Sequence, residues 1–147
     1  MIVPCRLIKR KALMRYDDFI KLDDLKKYAA AMNLRARQHH AAGQMTAVLL
    51  RSLILDSGGK CAWCDAGLVK QEFEIDHVLA LVQGGANTYA NLAVTCVTCN
   101  RRKGDKSPLT FALEQVARNG VQTALIRRIL DENDADAAHQ PSLFGDE

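Results

Sequence analysis

Four cysteines fall into two pairs of identical spacing, Cys61-x-x-Cys64 and Cys96-x-x-Cys99, with 31 residues between them. Paired C-x-x-C turns suit Zn²⁺, which accepts four thiolates in a closed tetrahedron at ~2.3 Å each. A closed site has no position open to substrate, so the expected role is structural, tying the turn at residue 61 to the segment at residue 99. Four reduced, buried thiols and a redox C-x-x-C are the competing readings. Two independent matches to ligand spacing weigh against the first, and the lack of a thioredoxin-like pattern against the second. Cys5 lies outside both pairs and reads as an incidental small apolar thiol.

The other residues of chemical interest lie between or beside those pairs: Asp76-His77, Asn91, and Asn100 directly after Cys99. Closing the cysteine pairs on one another folds the intervening chain into a compact unit, in which an Asp, a His and a helix-borne Asn can converge on one face. A carboxylate and an amide oxygen are hard donors suited to Mg²⁺, which keeps several waters and borrows ligands from substrate phosphates. An imidazole beside such an ion can take a proton from water near neutral pH. Singly, each residue has a bland reading, Asp-His as a turn and Asn91 as a local cap.

Those residues must be positioned by a mixture of helices and short strands. Leu22, Leu25, Tyr28, Ala29 and Met32 recur at helical spacing, with Asp23 and Asp24 where a helix N-terminus favours negative charge. Residues 44–56 predict a second helix, apolar on nearly every side and therefore expected to be buried. Residues 72–75 alternate polar and apolar, and Leu92 to Thr95 is a second short strand, with Gly84, Gly85 and Asn87 marking an irregular loop between them. A helix follows from Val97 and closes at Gly104. Ser107-Pro108 starts another, and Val121 to Leu130 supplies a further one. Past Asn133 the chain turns acidic and rich in small residues, which predicts a disordered tail. There is no internal repeat.

Composition bounds these readings. In 147 residues, 48% apolar and 25% charged, there is room for one ordinary domain with a core. No apolar run has the length of a membrane span or of a secretory leader, so the chain is expected to be soluble and cytoplasmic. The formal net charge of +3 conceals a gradient. Residues 1–60 carry twelve Lys/Arg against five Asp/Glu, or +7; residues 61–106 are balanced; residues 107–147 carry three against seven, or −4.

The stretch from Cys61 to Asp105, with Cys61-x-x-Cys64, Asp76-His77 followed by Gly84-Gly85, Asn91-Leu92, and Cys96-x-x-Cys99-Asn100-x-x-Lys103-Gly104-Asp105, resembles the HNH endonuclease family. The resemblance implies an α+β protein: a ββα-metal nuclease core with a structural zinc, flanked by N- and C-terminal helices. Its implied divisions are a basic helical region over 1–57, the core over 58–106, packed helices over 107–133 and an acidic tail over 134–147. The implied activity is metal-dependent hydrolysis of DNA, leaving 5′-phosphate and 3′-hydroxyl ends. By the same resemblance His77 is the general base, Asp76 a metal ligand, and Asn91 the residue that braces the loop and orients the histidine. Asn100 takes a position that is often histidine. An amide oxygen there tilts metal choice towards Mg²⁺ or Mn²⁺.

Arg101, Arg102 and Lys103 are candidate phosphate contacts, and the basic N-terminal segment with Arg6, Lys9, Arg10, Lys11 and Arg15 either tracks a DNA backbone or is a solvated face. His39-His40 is read as solvated and without a role, and Trp63 as packed over the zinc turn. In the tail, Gln140-Pro141-Ser142-Leu143-Phe144 resembles the bacterial sliding-clamp binding pentapeptide, which implies a clamp as partner through Gln140, Leu143 and Phe144. The competing functional class is a zinc-stabilised module that binds nucleic acid or protein without catalysis.

Overall fold

The computed structural model describes residues 14–16 and 21–139. Cys5, the basic residues before Met14 and the pentapeptide from Gln140 lie outside the described residues. The centre is a three-stranded antiparallel sheet in the order β1 (Met14–Arg15), β2 (Glu72–His77), β3 (Leu92–Cys96). β2 pairs with β3 in the register Phe73↔Cys96, Ile75↔Val94, His77↔Leu92. Glu74 and Asp76 therefore share one face of β2, and Phe73, Ile75 and His77 the other, because strand side chains alternate. β1 is only two residues long, too short to carry a periodic signal.

Around the sheet lie α1 (Leu22–Gln38), α2 (Ala47–Asp56), α3 (Val97–Lys103), α4 (Pro108–Asn119) and α5 (Ala124–His139). α1 forms where the spacing predicts, with Asp23 and Asp24 in its first turn, Arg35 and Arg37 in its last, and Leu25, Ala29, Met32, Asn33 and Ala36 as its buried stripe. α2 begins at Ala47 because the Thr46 hydroxyl accepts from the Leu49 amide at 3.2 Å. Its expected burial on nearly every side is corrected. Only Leu50, Leu53 and Ile54 are covered, while Val48, Leu49 and Leu55 are exposed, because one stripe of this short helix suffices to pack on α1 and β3.

Ser107 caps α4 by accepting from Thr110 N at 3.1 Å, with Pro108 at the first helical position. α5 departs from expectation at both ends. It starts at Ala124, and it runs on to His139 where disorder was expected from residue 134. Ala135, Ala137 and Ala138 supply high helix propensity there, which extends the helix without burying anything. The core joins both sides of the sheet: Leu25, Met32, Leu50 and Ile54 from the first two helices, Phe73, Ile75 and Val94 from the strands, and Phe111, Ile126 and Ile129 from the last two helices. No helix among the described residues is long and apolar enough to cross a membrane.

Candidate metal centre and active-site cleft

The Cys61–Cys64 turn docks on β3 through Ala62 N to Val94 O at 2.9 Å, which sets it against the Cys96–Cys99 turn at the start of α3. All four sulfurs lie within 4.8 Å of one another, and Cys64 Sγ to Cys96 Sγ is 3.9 Å. A tetrahedron with arms of ~2.3 Å has edges of ~3.8 Å, so the four thiols fit a tetrahedral cation. Hydrogen bonds from Cys61 and Cys99 drive the Cys96 thiol down, while hydrogen bonding with Cys96 drives Cys61 up and that with Cys61 drives Cys99 up. Cys61, Cys96 and Cys99 therefore compete for their protons, a conflict that a bound cation would remove.

α4 and α5 buttress this turn. Trp63 is fully buried against Phe111, ring centroids 4.9 Å apart at 75°, and Gln115 Nε2 donates to Trp63 O at 3.4 Å and reaches Cys99 Sγ at 3.6 Å. The Thr123 hydroxyl donates to Ala62 O at 2.6 Å. The packing of Trp63 is thus against a helix as well as over the turn.

At the far end of β2, Asp76, His77 and Asn100 line one cleft of about 300 Å³ with Arg35 of α1 and His39 just after it. Sequence spacing put the first three together; Arg35 and His39 had no signal, because nothing in the pattern of α1 says where its C-terminal end lies. Arg35 also acts on Tyr28, one of whose acidic neighbours is Asp76. The Tyr28 phenol is raised by burial first, with Arg35 opposing and Glu74 and Asp76 adding.

Asn100 donates its amide N–H to the Glu74 carboxylate, an arrangement that leaves its Oδ1 as the donor atom for a cation. Glu74, on the same strand face as Asp76, was not singled out from sequence; its signal was the two-residue spacing to Asp76.

The expectation that Lys103 contacts DNA is corrected. It is fully buried, with Nζ 3.1 and 3.4 Å from the two Asp76 carboxylate oxygens and 3.0 Å from His77 O. The reason is helical geometry: Lys103 is four residues from the buried Cys99, so both sit on the inward stripe of α3. Arg101 and Arg102 are exposed.

Asn91 does not line the cleft. Its Oδ1 accepts from Leu79 N at 2.9 Å, and its Nδ2 donates to Leu79 O at 3.0 Å and Ala86 O at 2.8 Å, so both ends of the loop after β2 are held to it. The side chain against the His77 ring is another asparagine, Asn87, with Oδ1 3.0 Å from Nε2. The oxygen donors Asp76 and Asn100 suit a hard cation, which completes its shell with water and substrate oxygens. Among the described residues, the four cysteines are the one His/Cys/Asp/Glu group clustered tightly enough to hold a metal alone.

Residues 61–106 match the family model for HNH endonuclease. That span begins at the first cysteine and ends just past α3, so it takes in both the thiol cluster and the Asp76, His77 and Asn100 wall of the cleft. No curated protein matches the chain.

Proposed function

Taking residues 61–106 as an HNH endonuclease domain, we propose that the chain hydrolyses phosphodiester bonds of DNA with His77 as general base. The observation that carries this reading is the single cleft lined by Asp76, His77, Asn100 and Arg35, three elements converging where a phosphate can enter. His77 takes a proton from the attacking water; the water oxygen bonds to phosphorus as the P–O3′ bond breaks, and the 3′ oxygen is protonated from solvent. Asp76 and the Asn100 amide oxygen would hold one Mg²⁺ or Mn²⁺. When bound, that ion supplies Lewis-acid stabilisation of the charge on the phosphate and the leaving oxygen. Asn91 keeps the loop beside His77 in place, Lys103 holds the Asp76 carboxylate and the end of β2, and Zn²⁺ in the four-thiol turn fixes α3 against the sheet. Arg35, Arg101 and Arg102 are the phosphate contacts.

The test is nicking of supercoiled plasmid across a metal series. Cleavage with Mg²⁺ or Mn²⁺, abolished in a folded His77→Ala variant, is the expected result; equal cleavage by both proteins would assign the activity to a contaminant. One observation favours a non-catalytic zinc module instead, namely that Asp76 is already engaged by Lys103. That reading requires salt-sensitive DNA binding with no metal-dependent cleavage, so the same assay separates the two.

A further inference from the structure

Three buried groups behind the cleft form a chain whose direction is set by the backbone. Asn33 on α1 is buried, and so is Asn87 in the loop after β2. Met45 N donates to Asn33 Oδ1 at 2.8 Å, and Asn33 Nδ2 donates to Met45 O at 2.9 Å. A peptide N–H only donates and a carbonyl only accepts, so these two bonds leave one orientation for the Asn33 amide. Its Oδ1 then also accepts from Asn87 Nδ2, at 2.8 Å. That fixes the second amide in turn, with Asn87 Oδ1 towards His77 Nε2 at 3.0 Å. An amide oxygen carries no proton, so the ring nitrogen facing it must be the donor.

We infer that Asn33 and Asn87 are positioning residues that hold His77 as the Nε2–H tautomer, which puts the basic lone pair on Nδ1. The chain starts at the Met45 peptide, in the connection between α1 and α2, outside the matched segment, and the Asn87 amide is itself held there by Asn87 N to Ala42 O at 2.7 Å. An imidazole can take a proton from water only through its unprotonated nitrogen, so a ring that flipped or exchanged tautomers would spend part of its time with the wrong nitrogen as the base. The buried amides prevent this because breaking the chain leaves a polar group without a partner away from water. The consequence for catalysis rests on the nuclease reading above; the tautomer does not.

The experiment is long-range ¹H–¹⁵N NMR of the full chain labelled at histidine, at about pH 8.5, where imidazole is neutral. Loss of the signal in His77→Gln assigns the ring. The expected spectrum has the proton on Nε2. Asn87→Leu, close in size and without the oxygen, is expected to give a mixture of tautomers and a kcat for plasmid nicking lower by ~10²-fold, with KM within ~2-fold. Asn33→Asp keeps the oxygen that accepts from Asn87 and is expected to keep the wild-type ring spectrum. A wild-type ring protonated on Nδ1, or an Asn87→Leu ring identical to wild type, overturns the inference. Because the wild-type spectrum needs no second variant, it decides the matter even if Asn87→Leu fails to fold. A protein that shows the Nε2–H ring but never nicks DNA leaves the positioning intact and sinks the nuclease reading alone.

Discussion

Replacing Lys103 by Met is the sharpest probe of the cleft, because most of the aliphatic side chain is kept and the ammonium group is lost. Lys103 is 0% exposed at its side chain and Asp76 10%, and one ammonium bridges both carboxylate oxygens and the His77 carbonyl. Removing one partner of such a pair takes a close cation from a poorly solvated carboxylate, at a cost of about 3–5 kcal/mol. For a chain of this length that is a fall in Tm of about 10–15 °C. The loss also has a signature that a simple packing defect lacks. With the Lys103 charge gone, Asp76 should bind a divalent ion more tightly, so Mg²⁺ restores stability to the variant more than it stabilises the parent. At ten times the variant's Kd the gain is about 1.4 kcal/mol. Adding Asp76→Asn to Lys103→Met should recover much of the loss and abolish the Mg²⁺ effect. Thermal melts of the three proteins with and without Mg²⁺ measure all of this. A Tm within about 2 °C of the parent, or equal Mg²⁺ shifts in parent and Lys103→Met, would refute the view of Lys103 as the counter-charge of the site.

Two further outcomes are expected. Trp63 is the one tryptophan of the sequence and lies buried between the thiol turn and Phe111, so chelation of zinc should shift its emission to the red and lower Tm together; unchanged emission on complete zinc release would contradict the structural role. Gly43 has φ +91°, and a Cβ there would sit 2.5 Å from Thr88 Cγ2 and 2.7 Å from Asn87 O. Gly43→Ala should therefore cost about 1–3 kcal/mol and reduce kcat, whereas Gly58→Ala, at φ +62° with nothing within 4 Å, should spare kcat. Melting curves and nicking rates of the pair test the difference.

The thiol turn and the Asp76, His77 and Asn100 trio were legible because ligand and motif spacings are local and independent of packing. What escaped was whatever depended on a distant partner. Asn33 and Asn87 meet across 54 positions, and a buried amide has no periodic signature. Lys103 read as a phosphate contact because it is the third of three consecutive cations, although its four-residue offset from Cys99 already placed it on the inward stripe. α2 was misread for the opposite reason. Its apolar excess says it can be buried but not how many sides have a neighbour, and only Leu50, Leu53 and Ile54 found one.

The seat of Asn87 on the α1–α2 connection sets a limit on modularity. Excised alone, the stretch from Cys61 to Lys106 would keep its thiolates, Asp76, His77 and Asn100, and lose Asn33, the Met45 peptide and Ala42. Recombination that moves this segment between proteins, or an engineer fusing it to a DNA-reading domain, has to carry the preceding helical hairpin with it or supply another clamp for the same loop.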